Sequence, residues 1–155
     1  KTGWTTNELA THLIHTLLQK QYDFVTLLIG VNNQYRGLSI TEFDQEFTFL
    51  LLKALQYNGH QKSRVFVLSI PDWAHTPFAQ NKAQETGLNL TEISAQIDAF
   101  NEVIKKRCED MEIELIYITD FTRNCGPEMI AQDGLHYSAN MHQLWANLLL
   151  QKFEL

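Results

Sequence analysis

The sequence predicts an α/β fold built on a parallel sheet, and two observations carry that expectation. Short apolar runs of strand character alternate with amphipathic helical patterns along the chain, and parallel strands need crossover connections of the kind such helices supply. The chain has 155 residues, 45% of them hydrophobic, the size of a single domain able to bury a core. No internal repeat, low-complexity tract or linker interrupts it.

The strand candidates are Phe24 to Ile29, Val65 to Ile70 and Ile113 to Thr119, rich in Val, Ile and aromatics. A first helix is expected from Thr5 to Gln19, opened by a capping box of Thr5 with Glu8 and turning Leu9, Leu13, Ile14, Leu17 and Leu18 to one face. A second begins at Ser39, with Glu42 as its box partner, and carries Phe43, Phe47, Leu50, Leu51, Ala54 and Leu55 inward. A third spans about Thr91 to Asp110 with Ile93, Ile97, Phe100 and Ile104 in line, and a fourth from Ser138 aligns Met141, Leu144, Trp145, Leu148 and Leu149.

The run Phe24 to Ile29 has no charge and no Pro, so it reads as buried on both faces with a neighbour on each side, whereas sheet edges are usually blunted. Glu112 and Glu114 make the third strand a better edge. A sheet with three visible strands therefore asks for another one upstream of Lys1.

Composition excludes several classes. A net charge of -6 argues against a phosphate-tracking nucleic-acid surface, and Lys105-Lys106-Arg107 reads as a solvated helix face. No run approaches the 18 or so apolar residues that span a bilayer. Cys108 and Cys125 form neither a zinc ligand set nor a disulfide framework. His12 and His15 share a helical face without further ligands, so no metal or other cofactor is expected. The sequon Asn89-Leu90-Thr91 reads as a chance match, and the compartment is unreadable.

Sites in open parallel sheets form at the carboxyl ends of strands. After the first run come Gly30-Val31-Asn32-Asn33, whose asparagines are either turn residues or amide donors to an oxygen that gains negative charge. Gly3, just ahead of a capped helix start, can present a backbone N–H. Asp133 stands three residues before His136, either a surface pair at a helix entrance or a carboxylate that orients an imidazole base. Tyr35 and Trp73 follow strands and join Asn33 as substrate-pocket candidates, with core packing as the competing role.

Taken in order, these stretches resemble the SGNH hydrolases, or GDSL-type esterases and lipases. Lys1-Thr2-Gly3-Trp4-Thr5-Thr6 is similar to the family's second block, Gly30-Val31-Asn32-Asn33 to its G-x-N-D block, and Asp133-Gly134-Leu135-His136 to its D-x-x-H block. The resemblance implies a three-layer αβα, flavodoxin-like fold and a serine hydrolase; it covers esterases, lipases, thioesterases and carbohydrate deacetylases, among which small acyl esters are the conservative expectation. It also implies Gly3 and Asn32 as oxyanion donors, His136 as general base and Asp133 as its orienting acid. Asn33 stands where the family usually has Asp. The family's Gly-Asp-Ser block, which holds the nucleophile, has no counterpart in the chain.

Ser69 reads as a buried strand residue, Ser39 and Ser138 as helix caps, and Ser63 and Ser94 have no site context; the resemblance thus implies a serine upstream of Lys1, in an amino-terminally incomplete single domain. A strand, a helix and a second strand take roughly 35 to 45 residues. In the flavodoxin-like order 2-1-3-4-5 the first of those strands lies beside Phe24 to Ile29. The rival expectation is an inactive α/β binding module, completed by a partner chain or by self-association at that strand.

Overall fold

A computed structural model describes residues 2–18 and 21–153. Its elements in chain order are α1 (Thr6–His15), β1 (Val25–Leu27), α2 (Val31–Tyr35), α3 (Ile40–Tyr57), β2 (Val65–Leu68), α4 (Pro77–Thr86), α5 (Leu90–Met111), β3 (Glu114–Ile116), α6 (Thr119–Arg123) and α7 (Ala139–Leu150). Short 3-10 turns occupy Lys62–Arg64, Trp73–His75 and Pro127–Met129. The chain divides into two compact units, Lys1–Ile70 with Ala99–Ile116, and Pro71–Asp98 with Tyr117–Leu155.

The first unit holds a parallel sheet of order β1-β2-β3. Every residue of the central strand β2 is buried, as two flanking strands require. The order is that of consecutive strands on one side of the expected flavodoxin-like arrangement. Among the described residues β3 lies at an edge, as Glu114 predicts, and Glu114 itself is exposed. β1 departs from the expectation of burial on both faces: Thr26 is exposed and Leu28 is 41% exposed, because among the described residues β1 pairs with β2 alone.

α1 opens with the expected capping box, the Thr5 hydroxyl accepting from Glu8 N–H and the Glu8 carboxylate accepting from Thr5 N–H. It ends at His15, four residues before the expected Gln19, and Gln19 lies outside the described residues. Thr16 leaves helical geometry with φ -112° and ψ 126°, and its hydroxyl bonds back to the His12 carbonyl, the local competition that makes Thr a poor helix interior residue. Leu17, expected inward, is 103% exposed.

α3 buries all six of its predicted inward residues, and Phe43 packs against Phe47 and against Phe100 of α5. Arg107, expected on a solvated face, instead forks onto Asp44 of α3 at 2.6 and 2.7 Å. The hydrogen bonds from Arg107 hold the Asp44 carboxyl below its usual range despite the opposing effect of desolvation. Asn101 of α5, 1% exposed, takes Ile70 N–H and donates to the Ile70 carbonyl. It completes the backbone bonding just past the end of β2.

The second unit is helical among the described residues. α4 is entered through Thr76, which caps Ala79 N–H, and through Pro77 in its first turn, where a missing N–H is harmless. Met141 and Trp145 bury the inner face of α7, while Leu144, Leu148 and Leu149 are half-buried. Ser138 occupies the N-cap position without making the cap bond, because its hydroxyl donates to the Glu128 carbonyl.

Candidate active site

The turn Asp133 to His136 is built so that one carboxylate serves three donors. Gly134 takes a left-handed φ of 72°, a conformation that a side chain disfavours. This brings the N–H groups of Leu135 and His136 onto Asp133 Oδ1, both at 2.9 Å. Oδ2 is left for the ring, at 2.6 Å from His136 Nδ1. The hydrogen bond from His136, then the two backbone N–H bonds, hold the Asp133 carboxyl down at about 2.

An ionised carboxylate only accepts, so Nδ1 carries the hydrogen and donates. In the neutral ring, Nε2 is then the basic nitrogen, and no described residue hydrogen bonds to it. The His136 side chain is 64% exposed, open to a reactant. The backbone around it is pinned: Ala131 N–H donates to the His136 carbonyl at 2.7 Å and Ser138 N–H to the Met129 carbonyl at 2.8 Å. Tyr137 donates its hydroxyl to the Asp72 carbonyl and packs on Trp145. Phe78 N–H at the start of α4 bonds the Gly134 carbonyl.

The first unit holds Gly3, Asn32, Asn33 and Tyr35. Gly30 has φ 125°, and a Cβ there would lie 2.8 Å from the Phe43 ring, so only glycine lets the chain leave β1 and turn at once into α2. Asn32 donates one amide hydrogen to the Trp4 carbonyl at 3.2 Å. Its second amide hydrogen has no partner among the described residues. The N–H of Gly3 likewise carries no bond from a described residue, and the Gly3 carbonyl accepts from Arg36 Nη2 at 2.7 Å. Arg36 also pairs with Glu8.

Two pocket candidates are corrected. Asn33 is 1% exposed with both ends of its amide bound to Thr6, and Trp73 is 6% exposed. Both are packed inside and line no open surface. Tyr35 is 46% exposed. In the second unit, Phe78, Asn81, Lys82, Glu85 and Gln132 line a groove of about 620 Å³ that reaches Asp133.

Three serines of the chain are accounted for by packing, capping and hydrogen bonding. Ser69 is fully buried, Ser39 accepts from Glu42 N–H as a helix cap, and Ser138 is committed to Glu128. The cysteines are free thiols. Burial pushes Cys108 up to about 12 and raises Cys125, so neither offers a thiolate at neutral pH. Among the described residues no group of three or more His, Cys, Asp or Glu could hold a metal ion, and no helix is long and apolar enough to cross a membrane.

A parallel α/β scaffold carrying an exposed, carboxylate-oriented imidazole has the outline of a hydrolase. The chain belongs to the GDSL-like lipase/acylhydrolase family, which it matches over residues 1–144. It is thus an ester hydrolase of the esterase or lipase type.

Solved structures share the fold. An acetylxylan esterase from Geobacillus stearothermophilus is 16% identical with a TM-score of 0.71, the match covering 99% of this chain and 69% of that one. An alpha/beta hydrolase enzyme from the metagenome of Lake Arreo, Spain, is 16% identical with a TM-score of 0.70, covering 97% and 68%. A protein from Streptococcus pneumonia is 20% identical with a TM-score of 0.73, covering 97% and 69%. Catalytic mutants of the acetylxylan esterase replace by alanine an aspartate and a histidine three residues further on, and match with a TM-score of 0.72 each. No curated protein matches the sequence.

Proposed function

We propose that this chain is the larger part of a serine esterase that cleaves small carboxylic esters through an acyl-enzyme, with His136 as general base and Asp133 as its orienting acid. The serine lies in a segment preceding Lys1. Its Oγ attacks the ester carbonyl while its proton passes to His136 Nε2. The carbonyl oxygen becomes an oxyanion that accepts from Gly3 N–H and from the second amide hydrogen of Asn32. Collapse of this adduct breaks the bond to the alcohol, which leaves with the proton from His136. Water then attacks the acyl-serine, gives its proton to His136 and releases the carboxylic acid, and the proton returns to serine.

The observation that carries the reading is the 2.6 Å bond from His136 Nδ1 to a carboxylate already fixed by two backbone N–H groups. It fixes the tautomer in which Nε2 is basic. The step of three residues from Asp133 to His136 is also the step between the residues removed in the catalytic mutants of the acetylxylan esterase.

The test is the intact mass of the full-length protein before and after a fluorophosphonate, which reacts with base-activated serines. The reading expects one adduct, mapped upstream of Lys1 and lost in H136A. An adduct on a serine within residues 1–155, or labelling unchanged by H136A, overturns it. A second reading rests on the exposed flank of β1 with Leu28: an inactive module whose sheet is completed by a partner or a second copy. No adduct, together with self-association of the full-length protein, supports that reading instead.

A further inference from the structure

We propose that Glu46 of α3 is a positioning residue for the oxyanion donors and acts through a hydrogen-bond relay, Asn33 to Thr6 to Glu46. The inference rests on the esterase reading above, in which Gly3 and Asn32 are those donors. Its evidence is the direction of each bond. Thr6 N–H at the start of α1 donates to Asn33 Oδ1 at 3.0 Å, which leaves the Asn33 Nδ2 group to donate to Thr6 Oγ1 at 2.6 Å. Thr6 Oγ1 then passes its single hydrogen to Glu46 Oε2, an acceptor-only carboxylate. The other Glu46 oxygen accepts from Asn7 Nδ2 at 2.9 Å.

Asn33 and Thr6 are 1% and 0% exposed, so any broken link leaves a buried polar group unsatisfied. The relay joins the two short segments that hold the donors. Thr6 follows Gly3 by three residues and Asn33 follows Asn32 directly, while Asn32 itself grips the Trp4 carbonyl and Arg36 the Gly3 carbonyl. The distance between Gly3 N–H and the Asn32 amide is thus set by a lock whose far end is Glu46.

The relay also explains why an amide stands at 33. Thr6 has one hydroxyl hydrogen and gives it to Glu46, so residue 33 must donate. A carboxylate at 33 would set two acceptors against one hydrogen, whereas a carboxylate at 33 with a neutral amide at 46 restores the count with the charge moved to the other end.

The test measures kcat and KM for p-nitrophenyl acetate, with thermal midpoints, in full-length N33D, E46Q and N33D/E46Q. N33D is expected to lower kcat by about 10 to 100-fold with KM nearly unchanged, because a misaimed donor is lost mainly from the transition state. E46Q costs only a few-fold, since its amide oxygen still accepts. The double variant recovers most of the kcat lost in N33D. In addition, N32A costs about 10² to 10³-fold in the wild type and much less in the N33D background.

Wild-type kcat in N33D, or no recovery in a double variant that folds as well as the wild type, overturns the relay. If N33D does not fold, T6S and T6V decide: T6S keeps kcat and T6V loses it, and equal kcat in both rejects the proposal. Failure of the esterase reading is separately visible, as H136A and N32A would then leave hydrolysis untouched.

Discussion

Asp72 and His75 repeat the spacing of Asp133 and His136 within the same unit, and the two stretches have opposite characters. Asp72 is fully buried. One of its oxygens accepts from Ala74 N–H at 3.1 Å and the other from Arg123 Nε at 2.8 Å, and Arg123 continues to Asp98 at 2.6 Å. His75 Nε2 is 3.8 Å from Asp72 Oδ2, beyond hydrogen-bond length. Burial alone would lower the pKa of Arg123, but its bonds to Asp98 and Asp72 outweigh this and raise it.

The first aspartate is therefore a structural anion held by a guanidinium, and the second is an exposed anion held by an imidazole. The residue after each aspartate makes the difference. Trp73 starts a buried 3-10 turn that carries the ring of His75 away, whereas Gly134 adopts the left-handed turn that lays His136 over the carboxylate. A spacing names a candidate, and the backbone between its two residues decides its role.

The largest expected effect separates the two histidines. In the full-length protein, H136A should lower kcat for p-nitrophenyl acetate by about 10⁴-fold or more, while H75A should stay within about 2-fold of wild type. Comparable losses in both would erase the distinction. D133N should follow at about 10³ to 10⁴-fold in kcat, because an amide no longer enforces the tautomer with the hydrogen on Nδ1, with a nearly unchanged unfolding midpoint in urea.

D72A should do the reverse. It leaves Arg123 partly buried with one carboxylate fewer, at a cost on the order of 3 kcal/mol in urea unfolding, and folded D72A should keep its fluorophosphonate labelling. A stability change under about 1 kcal/mol would mean that Asp98 alone satisfies Arg123.

Periodicity made most of the fold legible. The inward faces of α3 and α5 were readable because apolar residues recur at helical spacing over many turns, and the central strand because its run is continuously apolar. Short elements were not: α2 and α6 span five residues each, too few for a period, and α4 has a weakly apolar face. The early end of α1 was hidden because Leu17 and Leu18 continue the pattern while Thr16 breaks the geometry.

Motif order singled out Asp133, His136, Gly3 and Asn32 as candidates. The environments that give residues their roles come from distant parts of the chain. Asn33 reads as a pocket residue until Thr6 and Glu46, 27 and 40 positions apart from their partners, turn it inward. Asp72 reads as a loop residue until Arg123, 51 positions away, pairs with it.

The smallest effect bears on pH. The folded Asp133 carboxyl lies at about 2, below its ordinary 3.8, so the carboxylate's contribution to stability, small for a side chain this exposed, is fully present above the unfolded value. It declines as pH falls below that value and is lost through about 2. Carboxyl carbon NMR should therefore find Asp133 ionised at pH 3, and any loss of hydrolysis above pH 3 must come from another group. Because the bond from His136 is the largest cause of the shift, H136A should raise the Asp133 midpoint toward 3.8 without restoring it fully, since the N–H groups of residues 135 and 136 still point at Oδ1. A midpoint indifferent to H136A would mean that the turn backbone alone holds the charge, and the dyad would then differ from the Asp72 stretch in exposure but not in coupling.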